Sequence, residues 1–362
     1  MKRATLRGAE RTPLEADADV LICGASFAGL AAARELKGRR VLIVDRYEVG
    51  ERATSACAAP TPWLHAMGVQ AAIRQEIPCM AFHTPHGSAR FRLPWSWSSF
   101  DYRQLCEELF AQTDARFEIA KVDGRTGNVV HTDRGDLEAP YIIDALGWKR
   151  VLGKTIVQPP DAPISRGLEV HPPGGGVDLD VWIDRSLVRY GYAWSVPADG
   201  EQRIGVGSYE PKHHVKQPTQ EIARRLQRDT VRYQGNWFPH RLRPAAEDGV
   251  FFAGDSAGHC IPLSGEGIRT AFYFGIAAAR EIAQALDGVQ SREQALRAYG
   301  RFSARHAPAY ALALQLQRTI PRLPPKTLTA LLKVLGRERP CRRTFDWYLT
   351  LASPKLANAQ PR

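Results

Sequence analysis

Two carboxylates follow apolar runs at positions where they could bind the hydroxyl groups of a ligand. Asp45 ends the run VLIV and lies about 20 residues after the turn that begins at Gly24, the spacing at which an acid binds a ribose diol in dinucleotide sites. Asp255 follows a second apolar run, VFFAG, and opens the glycine-rich segment DSAGHCIPLSGEGI. Neither segment is needed to fill a core, and both are suited to bringing backbone close to a bound molecule. These residues predict recognition of a long, polyhydroxylated ligand.

The first motif is a strand, a tight turn, a helix and a second strand. Val20–Cys23 and Val41–Val44 are short apolar runs typical of buried strands. Between them the pattern G-x-G-x-x-G appears as GASFAG from Gly24, with Ser26 in the place of the middle glycine. A pyrophosphate would bind the amides at the start of the helix, where the Ser26 hydroxyl could donate to it. Asp45 favours a ligand with a free 2′-hydroxyl, which means FAD or NAD rather than NADP.

The second motif predicts that the ligand is FAD. NAD alone would not need another glycine-rich strand–turn–helix so far along the chain, whereas FAD has a ribityl–flavin half that must reach a second support. Val250–Ala253 is the predicted strand, and Asp255 would bind the ribityl or pyrophosphate oxygens. A helix would begin near Ile268 and end at Gly288. The positive end of its dipole would face the flavin and stabilise negative charge on the reduced ring.

A family resemblance rests on four segments. GDSAGHCIPLSGEGI is similar to the second FAD motif of the para-hydroxybenzoate-hydroxylase-type FAD-dependent oxidoreductases, and it resembles most the geranylgeranyl reductase branch. FDYRQLCEEL, YIIDALGWKRVLG and YGYAWSVPADGEQRIGVGSYEP resemble further segments of that branch, in the expected order from about residue 18 to about residue 310. The chain departs from the pattern at Ser26, and at Ala58 and Ala59, where the reductases have two glycines after a cysteine.

The motifs and the resemblance together identify the residues of a candidate site. Cys57 is the candidate catalytic residue, because the resemblance implies a cysteine near the flavin in this stretch; inert packing of a buried cysteine is the alternative. Tyr192, Trp194 and Pro262 are the predicted substrate contacts. The predicted cofactor contacts are Gly24, Ser26, Phe27, Ala28, Gly29, Asp45, Arg46, Arg52, Arg103, Asp144, Gly147, Gly254, Asp255, Gly265, Glu266, Gly267 and Ile268.

The resemblance implies an α/β fold in which a Rossmann-like FAD-binding domain of the glutathione-reductase type is intergrown with an antiparallel β-sheet substrate domain. The FAD-binding domain is expected to be discontinuous, over residues 1–75, 101–155 and 246–300. The substrate domain would take residues 76–100 and 156–245, and residues 301–362 would form a C-terminal helical region.

The predicted substrate domain contains two segments that alternate with the period of strands, SARFRLPWSWSSF and DLDVWIDRSLVRYGYAWSVP. Together they predict a sheet that covers the flavin. Its inward side would present Trp95 or Trp97, Trp182, Tyr190, Tyr192 and Trp194. Such an aromatic, largely uncharged wall suits a hydrophobic substrate such as an isoprenoid chain, although the same rings could instead fill the sheet's own core.

The composition restricts the partners. A formal net charge of +11 indicates an anionic partner, either phosphates, an acidic membrane face or nucleic acid, and nucleic acid is excluded from the prediction because no binding motif accompanies the charge. The six cysteines form no CxxC pair, which predicts neither a metal site nor a disulfide framework and fits a reducing compartment. No membrane-spanning run and no signal-peptide core is visible, so a cytoplasmic location is expected.

The C-terminal segment RTIPRLPPKTLTALLKVLGRERPCRR holds eight Lys and Arg residues against one acid, Glu338. Leu328, Leu331, Leu332 and Leu335 lie at helical spacing on one apolar stripe. Packing of this stripe on the body of the protein is one interpretation, and peripheral attachment to an anionic bilayer is the other.

The favoured function is an FAD-dependent reductase that saturates carbon–carbon double bonds of a prenyl chain, with hydride from the reduced flavin and a proton from a nearby acid or water. NAD(P)H, or a ferredoxin-like protein, would act as a transient electron donor. The first alternative is a monooxygenase of the same architecture that hydroxylates an aromatic or polyketide-like substrate. A flavin halogenase is disfavoured, because such enzymes need an active-site lysine and residues 51–120 contain none. A redox-neutral cyclase is a more remote alternative, and a non-catalytic, lipid-carrying flavoprotein is the third class.

Overall fold

The computed structural model describes residues 12–15, 17–53, 56–154 and 164–359, and the predicted boundary at residues 155–156 falls outside these ranges. The strands are β1 Val20–Cys23, β2 Val41–Asp45, β3 Ala58–Pro60, β4 Ile73–Thr84, β5 Gly87–Phe100, β6 Arg116–Ile119, β7 Val122–Thr126, β8 Val129–Thr132, β9 Gly135–Glu138, β10 Tyr141–Asp144, β11 Ile164–Val170, β12 Leu179–Trp182, β13 Gly191–Pro197, β14 Gln202–Ser208, β15 Gln234–Pro239, β16 Ala246–Glu247 and β17 Val250–Phe252. The α-helices are α1 Phe27–Glu35, α2 Thr61–Ala66, α3 Tyr102–Ala111, α4 Lys216–Arg225, α5 Ile268–Leu286, α6 Arg292–Ala304, α7 Ala307–Thr319, α8 Pro325–Leu335, α9 Glu338–Thr350 and α10 Lys355–Asn358.

A six-stranded sheet has the order β16-β17-β10-β1-β2-β6. Its neighbours are parallel except for β16 and β17. The sequences of β1, β10 and β17, VLIC, YIID and VFF, are buried at every residue, as expected for parallel strands covered on both faces. This sheet brings the carboxyl ends of β1, β2, β10 and β17 to one edge, and the two glycine turns follow β1 and β17 at that edge.

Close packing of α1 on the sheet depends on glycine. A Cβ on Gly29 would lie 1.9 Å from the carbonyl oxygen of Gly24, which no side chain can tolerate. The same helix crosses α5 closely, since a Cβ on Gly275 would lie 2.4 Å from the carbonyl oxygen of Ala28. The helices that follow the two glycine turns, α1 and α5, therefore pack directly against each other.

An eight-stranded sheet has the order β15-β11-β14-β13-β12-β4-β5-β3. It is antiparallel apart from the pair formed by β12 and β4. The segment DLDVWIDRSLVRYGYAWSVP forms two strands, β12 and β13, joined by a loop. β3 lies inside the segment predicted for the FAD-binding domain, 1–75, and pairs with β5 in this sheet. A third, small sheet has the order β7-β8-β9. The predicted α/β class, with a Rossmann-like sheet intergrown with a mainly antiparallel one, is confirmed.

The C-terminal region is helical, as predicted, and it packs on the body of the protein. Leu328 and Leu332 of α8 are buried in a cluster with Ile77, Phe91 and Trp97 of the eight-stranded sheet. Within the described ranges, none of the helices combines the length and the apolar character needed to cross a bilayer.

Candidate cofactor and substrate site

One elongated cavity of about 1140 Å³ connects the two glycine turns with the eight-stranded sheet and the C-terminal helices. It exceeds the usual range of about 300–1,000 Å³ for small-molecule sites, so it has room for more than one bound molecule. One end, here called the nucleotide end, is lined by Ala25–Ala28, Asp45 and Arg46. The other, here called the apolar end, is lined by aromatic side chains of the sheet and leucines of α8.

At the nucleotide end, the start of α1 is open to the cavity. Ser26 is the N-cap residue, but its side chain makes no capping hydrogen bond, and the first turn contains no acidic residue. The Tyr102 hydroxyl donates to Ser26 Oγ over 3.0 Å, which leaves the serine's own proton available for a ligand. Both Ser26 and Phe27 line the cavity. Exposed amides at a helix start bind phosphate readily.

Asp45 also lines the nucleotide end, and it is already held by backbone amides. Its Oδ2 accepts from Ala25 N at 2.8 Å and its Oδ1 from Tyr47 N at 3.1 Å. Burial raises the pKa of this carboxyl, and these amide hydrogen bonds act in the opposite direction. Each oxygen retains a lone pair that could accept from a diol. The predicted contacts Arg46 and Arg52 are exposed, line the cavity and pack on the Tyr47 ring at 4.8 and 5.1 Å from its centroid.

Asp255 lines the cavity, and its side chain has no hydrogen-bond partner among the described residues. It lies in a short 3-10 turn, Gly254–Ala257, directly after β17. Burial raises the pKa of its carboxyl to about 6, against the opposing influence of Arg243. A partly buried carboxylate without a donor is unfavourable in the empty protein and is satisfied by a ligand that donates hydroxyl groups.

The second glycine turn opens the N-terminus of α5 to the same space. Gly267 is the N-cap, with no side-chain capping bond and no acid in the first turn. Gly265 has φ of +66°, and a Cβ there would approach the Tyr192 hydroxyl to 3.1 Å and the Phe238 ring to 3.2 Å. Gly265, Gly267 and Ile268 all line the cavity. The positive end of the α5 dipole therefore faces it.

Several predicted contacts have side chains that do not line the cavity. The Asp144 carboxylate is fully buried and accepts from Ser256 Oγ at 2.6 Å and from the amides of Leu146 and Leu152 at 2.9 Å. Burial raises its pKa. Its observed role is to position the loop that follows β10, where Gly147 does line the cavity. A direct contact between Asp144 and the cofactor therefore stays a prediction.

Arg103 and Pro262 likewise do not line the cavity, and their contacts with the ligands stay predictions. The backbone of Arg103 abuts Gly50, and its side chain is half-exposed, 3.9 Å from Glu107. Pro262 is buried beside the cavity, which is lined instead by its neighbours Cys260 and Leu263. Gly24 and Gly29 do not line the cavity: a Cβ on Gly24 would lie 2.4 Å from the carbonyl oxygen of Ala145, and Gly29 allows α1 to pack closely on the first turn.

Glu266 lines the cavity, but its carboxylate is occupied by partners from the protein. It forms an ion pair with Arg269 Nε at 2.7 Å and accepts a hydrogen bond from the Tyr348 hydroxyl. The fully buried Arg269 guanidinium also donates to the carbonyls of Tyr348, Leu349 and Ala352, at 2.9, 3.1 and 3.3 Å. The second cofactor motif is thus tied to the end of α9. Sequence reasoning missed both Arg269 and Tyr348.

The apolar end contains Trp97, one of the two tryptophans predicted as alternatives, together with the predicted Tyr192 and Trp194. Trp194 donates from Nε1 to Glu169 Oε2 over 3.1 Å, and its ring lies so close to Gly205 that a Cβ there would be 2.3 Å from it. Tyr192 donates to the Ser264 carbonyl in the second glycine turn. These contacts orient both rings along the cavity wall.

The other three aromatics, Trp95, Trp182 and Tyr190, do not line the cavity. Trp182 stacks on His83, with ring centroids 4.9 Å apart, and packs in the sheet's other core. The wall is completed by the leucine stripe of α8, Leu328, Leu331, Leu332 and Leu335, for which the sequence predicted either packing on the body or attachment to a bilayer. The helical spacing predicted the stripe, but nothing in the sequence indicated that it faces the ligand.

Cys57 lines the cavity, with 3% of its surface exposed, and adopts a left-handed backbone with φ of +49°. Arg203 supports this conformation by donating to the carbonyls of Ala56, Cys57 and Phe100, at 2.9, 2.9 and 3.1 Å. Glu201 in turn accepts from Arg203 Nε at 3.0 Å. A non-glycine residue held in this region of backbone space by its surroundings is typical of functional sites. The catalytic role of Cys57 stays a prediction, and Arg203 is a positioning residue that sequence reasoning did not find.

The residues present fit FAD. Two uncapped helix starts, a carboxylate at each turn and small residues at the points of closest approach match a ligand with a pyrophosphate, two polyol segments and an electron-accepting ring. Among the described residues, no group of three or more His, Cys, Asp or Glu side chains could hold a metal ion.

Comparison with known proteins supports the fold. No protein-family model and no curated protein matches the chain. Among solved structures, it is similar to a geranylgeranyl bacteriochlorophyll reductase-like protein from Thermoplasma acidophilum, with 17% identity, a TM-score of 0.81 and coverage of 94% of this chain and 98% of that one. It is also similar to PqsL, a probable FAD-dependent monooxygenase from Pseudomonas aeruginosa, with 18% identity, a TM-score of 0.68 and coverage of 87% and 99%. The flavin-dependent brominase Bmp2 matches with 17% identity, a TM-score of 0.62 and coverage of 91% and 98%. The chain has the fold of FAD-dependent oxidoreductases.

Proposed function

We propose that this protein binds FAD and reduces carbon–carbon double bonds in the prenyl chain of a hydrophobic substrate. The observation that carries the proposal is the continuity of the cavity. The same space that passes both glycine turns runs on between Trp97, Tyr192 and Trp194 to the leucines of α8. A long apolar chain and a dinucleotide can therefore lie end to end within one enclosure.

Each part of the enclosure has a task that follows from its chemistry. Asp45 and the start of α1 would hold the adenosine and pyrophosphate, while Asp255 and the start of α5 would hold the ribityl chain and the ring. When bound and reduced, FAD supplies the hydride for the reaction. The aromatic and leucine wall binds the prenyl chain, orients its double bond and excludes water from the site.

The tyrosines at the cavity are unsuited to giving up a proton unaided. Burial raises the pKa of Tyr192, Tyr209 and Tyr348. Their hydroxyls already donate to the protein, to the carbonyls of Ser264 and Leu263 and to the Glu266 carboxylate. We therefore assign the single proton that accompanies the hydride to water or to Cys57, whose side chain lies at the cavity wall.

The alternative is a monooxygenase that acts on an aromatic or polyketide-like substrate, and the likeness to PqsL supports it. The reductase is favoured because the likeness to the reductase-like protein has the higher TM-score, 0.81 against 0.68. The apolar end also presents four leucines, which suit an aliphatic chain better than a planar polar ring. The third class, a carrier, would bind the lipid without turnover.

An anaerobic reoxidation experiment distinguishes the three classes. The bound flavin is reduced chemically without oxygen, so that neither NAD(P)H nor a ferredoxin-like donor is required, and a geranylgeranyl lipid is added, with its fully saturated analogue as the matched control. Recovery of the oxidised flavin spectrum with the unsaturated lipid alone, together with a product heavier by two hydrogens, supports the reductase. Reoxidation only on admission of oxygen, with an oxygenated product, establishes the monooxygenase instead. Binding of both lipids without reoxidation establishes the carrier.

A further inference from the structure

Exposed apolar side chains concentrate on the C-terminal helices. Nine large hydrophobic residues are exposed in the part of the chain that the structure describes, and five of them lie on α7, α8 and α9. These five, here called the apolar rim, are Leu312, Leu316, Leu331, Val334 and Trp347, with 49%, 38%, 43%, 47% and 45% of their surface exposed. The remaining four are distributed between the loops near residues 177, 231–233 and 289.

The apolar rim surrounds an opening of the cavity. Leu316, Leu331 and Trp347 are exposed to solvent and also line the cavity, so the cavity reaches the surface between α7, α8 and α9. The other two rim residues extend the same faces. Leu312 lies one turn before Leu316 on α7, and Val334 lies three residues after Leu331 on α8.

The same three helices carry a strong positive charge. Between residues 307 and 350 the chain has eight Lys and Arg residues against two acids, Glu338 and Asp346. The basic residues, here called the basic flank, are Arg318, Arg322, Lys326, Lys333, Arg337, Arg339, Arg342 and Arg343, and all are exposed. None of them forms an ion pair with a carboxylate of the described residues.

We propose that the apolar rim and the basic flank dock this protein on a bilayer that contains anionic lipids. Exposed leucines and a tryptophan insert at the boundary between headgroups and acyl chains, and lysine and arginine beside them attract anionic headgroups. The mouth of the cavity then faces the acyl region, and a prenyl lipid enters it without crossing water. A second copy of the chain fits this surface poorly, because it would bring two basic flanks together.

Vesicle flotation tests the docking without any turnover, so its outcome is separate from that of the proposed reaction. The FAD-loaded protein is mixed with vesicles of phosphatidylcholine alone or of phosphatidylcholine with phosphatidylglycerol. We expect at least about tenfold stronger partitioning to the anionic vesicles at low salt, and a decrease as salt is added. Equal partitioning to the two kinds of vesicle would overturn the proposal.

Two pairs of matched variants locate the surface. Leu312→Asp with Val334→Asp removes two rim residues that do not line the cavity, and should weaken partitioning about tenfold or more. The control variant combines Val177→Asp and Val289→Asp, at positions outside the apolar rim that are 72% and 73% exposed. It should weaken partitioning to the anionic vesicles about twofold at most. A second pair of variants tests the basic flank. The test variant combines Arg339→Glu, Arg342→Glu and Arg343→Glu and should weaken partitioning about tenfold or more. The control variant combines Arg297→Glu, Arg301→Glu and Arg305→Glu, on or directly after α6, and should weaken partitioning about twofold at most.

Flavin content and melting temperature of each variant show that it is folded. Equal losses in the test and control variants would refute the docking surface. Light scattering of the wild-type protein without vesicles tests whether a second copy of the chain binds the apolar rim. A dimer that dissociates in the Leu312→Asp, Val334→Asp variant would overturn the bilayer proposal and identify the partner as a second copy of the chain.

Discussion

The two ends of the cavity are built in different ways. At the nucleotide end and at the second glycine turn, the ligand-facing groups are helix starts, glycine turns and two carboxylates, Asp45 at the end of β2 and Asp255 three residues after β17. At the apolar end, the wall is assembled from side chains of β5, β11, β13, β15 and α8, which are far apart in the sequence. The first end is a property of local strand–turn–helix units, whereas the second exists only when distant segments converge.

This difference determines how each end should respond to mutation. The nucleotide end depends on close approach of backbone, so a single added methyl group at a point of closest approach should weaken cofactor binding strongly. The apolar end depends on the shape of a surface that many side chains share, so it should tolerate small changes and respond to added volume.

The largest effect is expected for Gly29→Ala at the nucleotide end. Its Cβ would lie 1.9 Å from the Gly24 carbonyl oxygen, so α1 must move away from β1 and the amides at its start must move with it. Such a displacement costs about 1–3 kcal/mol, which corresponds to as much as about a hundredfold loss of FAD affinity. Titration of the FAD-free protein with FAD measures it. Gly175→Ala, where a Cβ meets nothing within 4 Å, is the control, and normal affinity in Gly29→Ala would show that the turn does not hold the cofactor.

A smaller effect, confined to the substrate, is expected for Leu335→Trp at the apolar end. Leu335 lines the cavity and Val334 beside it does not, so Val334→Trp adds the same ring outside the wall. Leu335→Trp should reduce turnover of a long prenyl substrate by about tenfold or more, while FAD affinity changes about twofold at most in both variants. Turnover is assayed in detergent solution so that membrane docking has no influence. If Leu335→Trp lowers FAD affinity as strongly as turnover, the two ends are not independent.

The third effect is on the free energy of unfolding rather than on binding or turnover: a pH-dependent change of stability in Asp255→Asn, measured without FAD. Burial raises the pKa of Asp255 from 3.8 to about 6, so the folded protein binds this proton more tightly than the unfolded chain does. That contribution is fully present below about pH 3.8 and is lost as the pH rises through about 6. Asparagine does not titrate, so the variant should be more stable than the wild type by about 3 kcal/mol above pH 6, with the difference shrinking toward pH 4.

Thermal unfolding across that pH range measures the Asp255→Asn effect, with the exposed Asp346→Asn as the control. In the same variant, FAD affinity should fall, because the carboxylate is replaced by a weaker acceptor. A stability difference that does not vary with pH would mean that the Asp255 carboxyl is not held in a desolvated state.

Prediction from the sequence was most accurate where one short segment contains a complete strand–turn–helix unit. The strands β1 and β2 and the start of α5 at Ile268 were predicted almost to the residue, and a helix was predicted between the two strands where α1 lies. It was less successful for Asp144, which has the expected place at the end of β10 but turns inward to Ser256 and the loop amides. An acid at a strand end can bind a ligand or its own loop, and the pattern is the same in both cases.

The rest of the site could not be predicted, because it depends on contacts between segments that the sequence does not relate. Arg203 supports the Cys57 backbone from a separate strand, and Arg269 ties the second glycine turn to the end of α9. In the sequence, each is one arginine among many. The leucine stripe of α8 was visible, but a stripe specifies only that one face is apolar and not which surface it meets.

By itself, the sequence determined the two strand–turn–helix units, their carboxylates and the helical character of the C-terminal region, because backbone preferences and apolar periodicity act over a few residues. Only the tertiary structure decided that both units open into one cavity, that α8 forms its far wall and that the cavity reaches the surface among exposed leucines and arginines. Those features follow from packing distant apolar faces together, and the free energy of that packing depends on the shape of the whole chain rather than on any one segment.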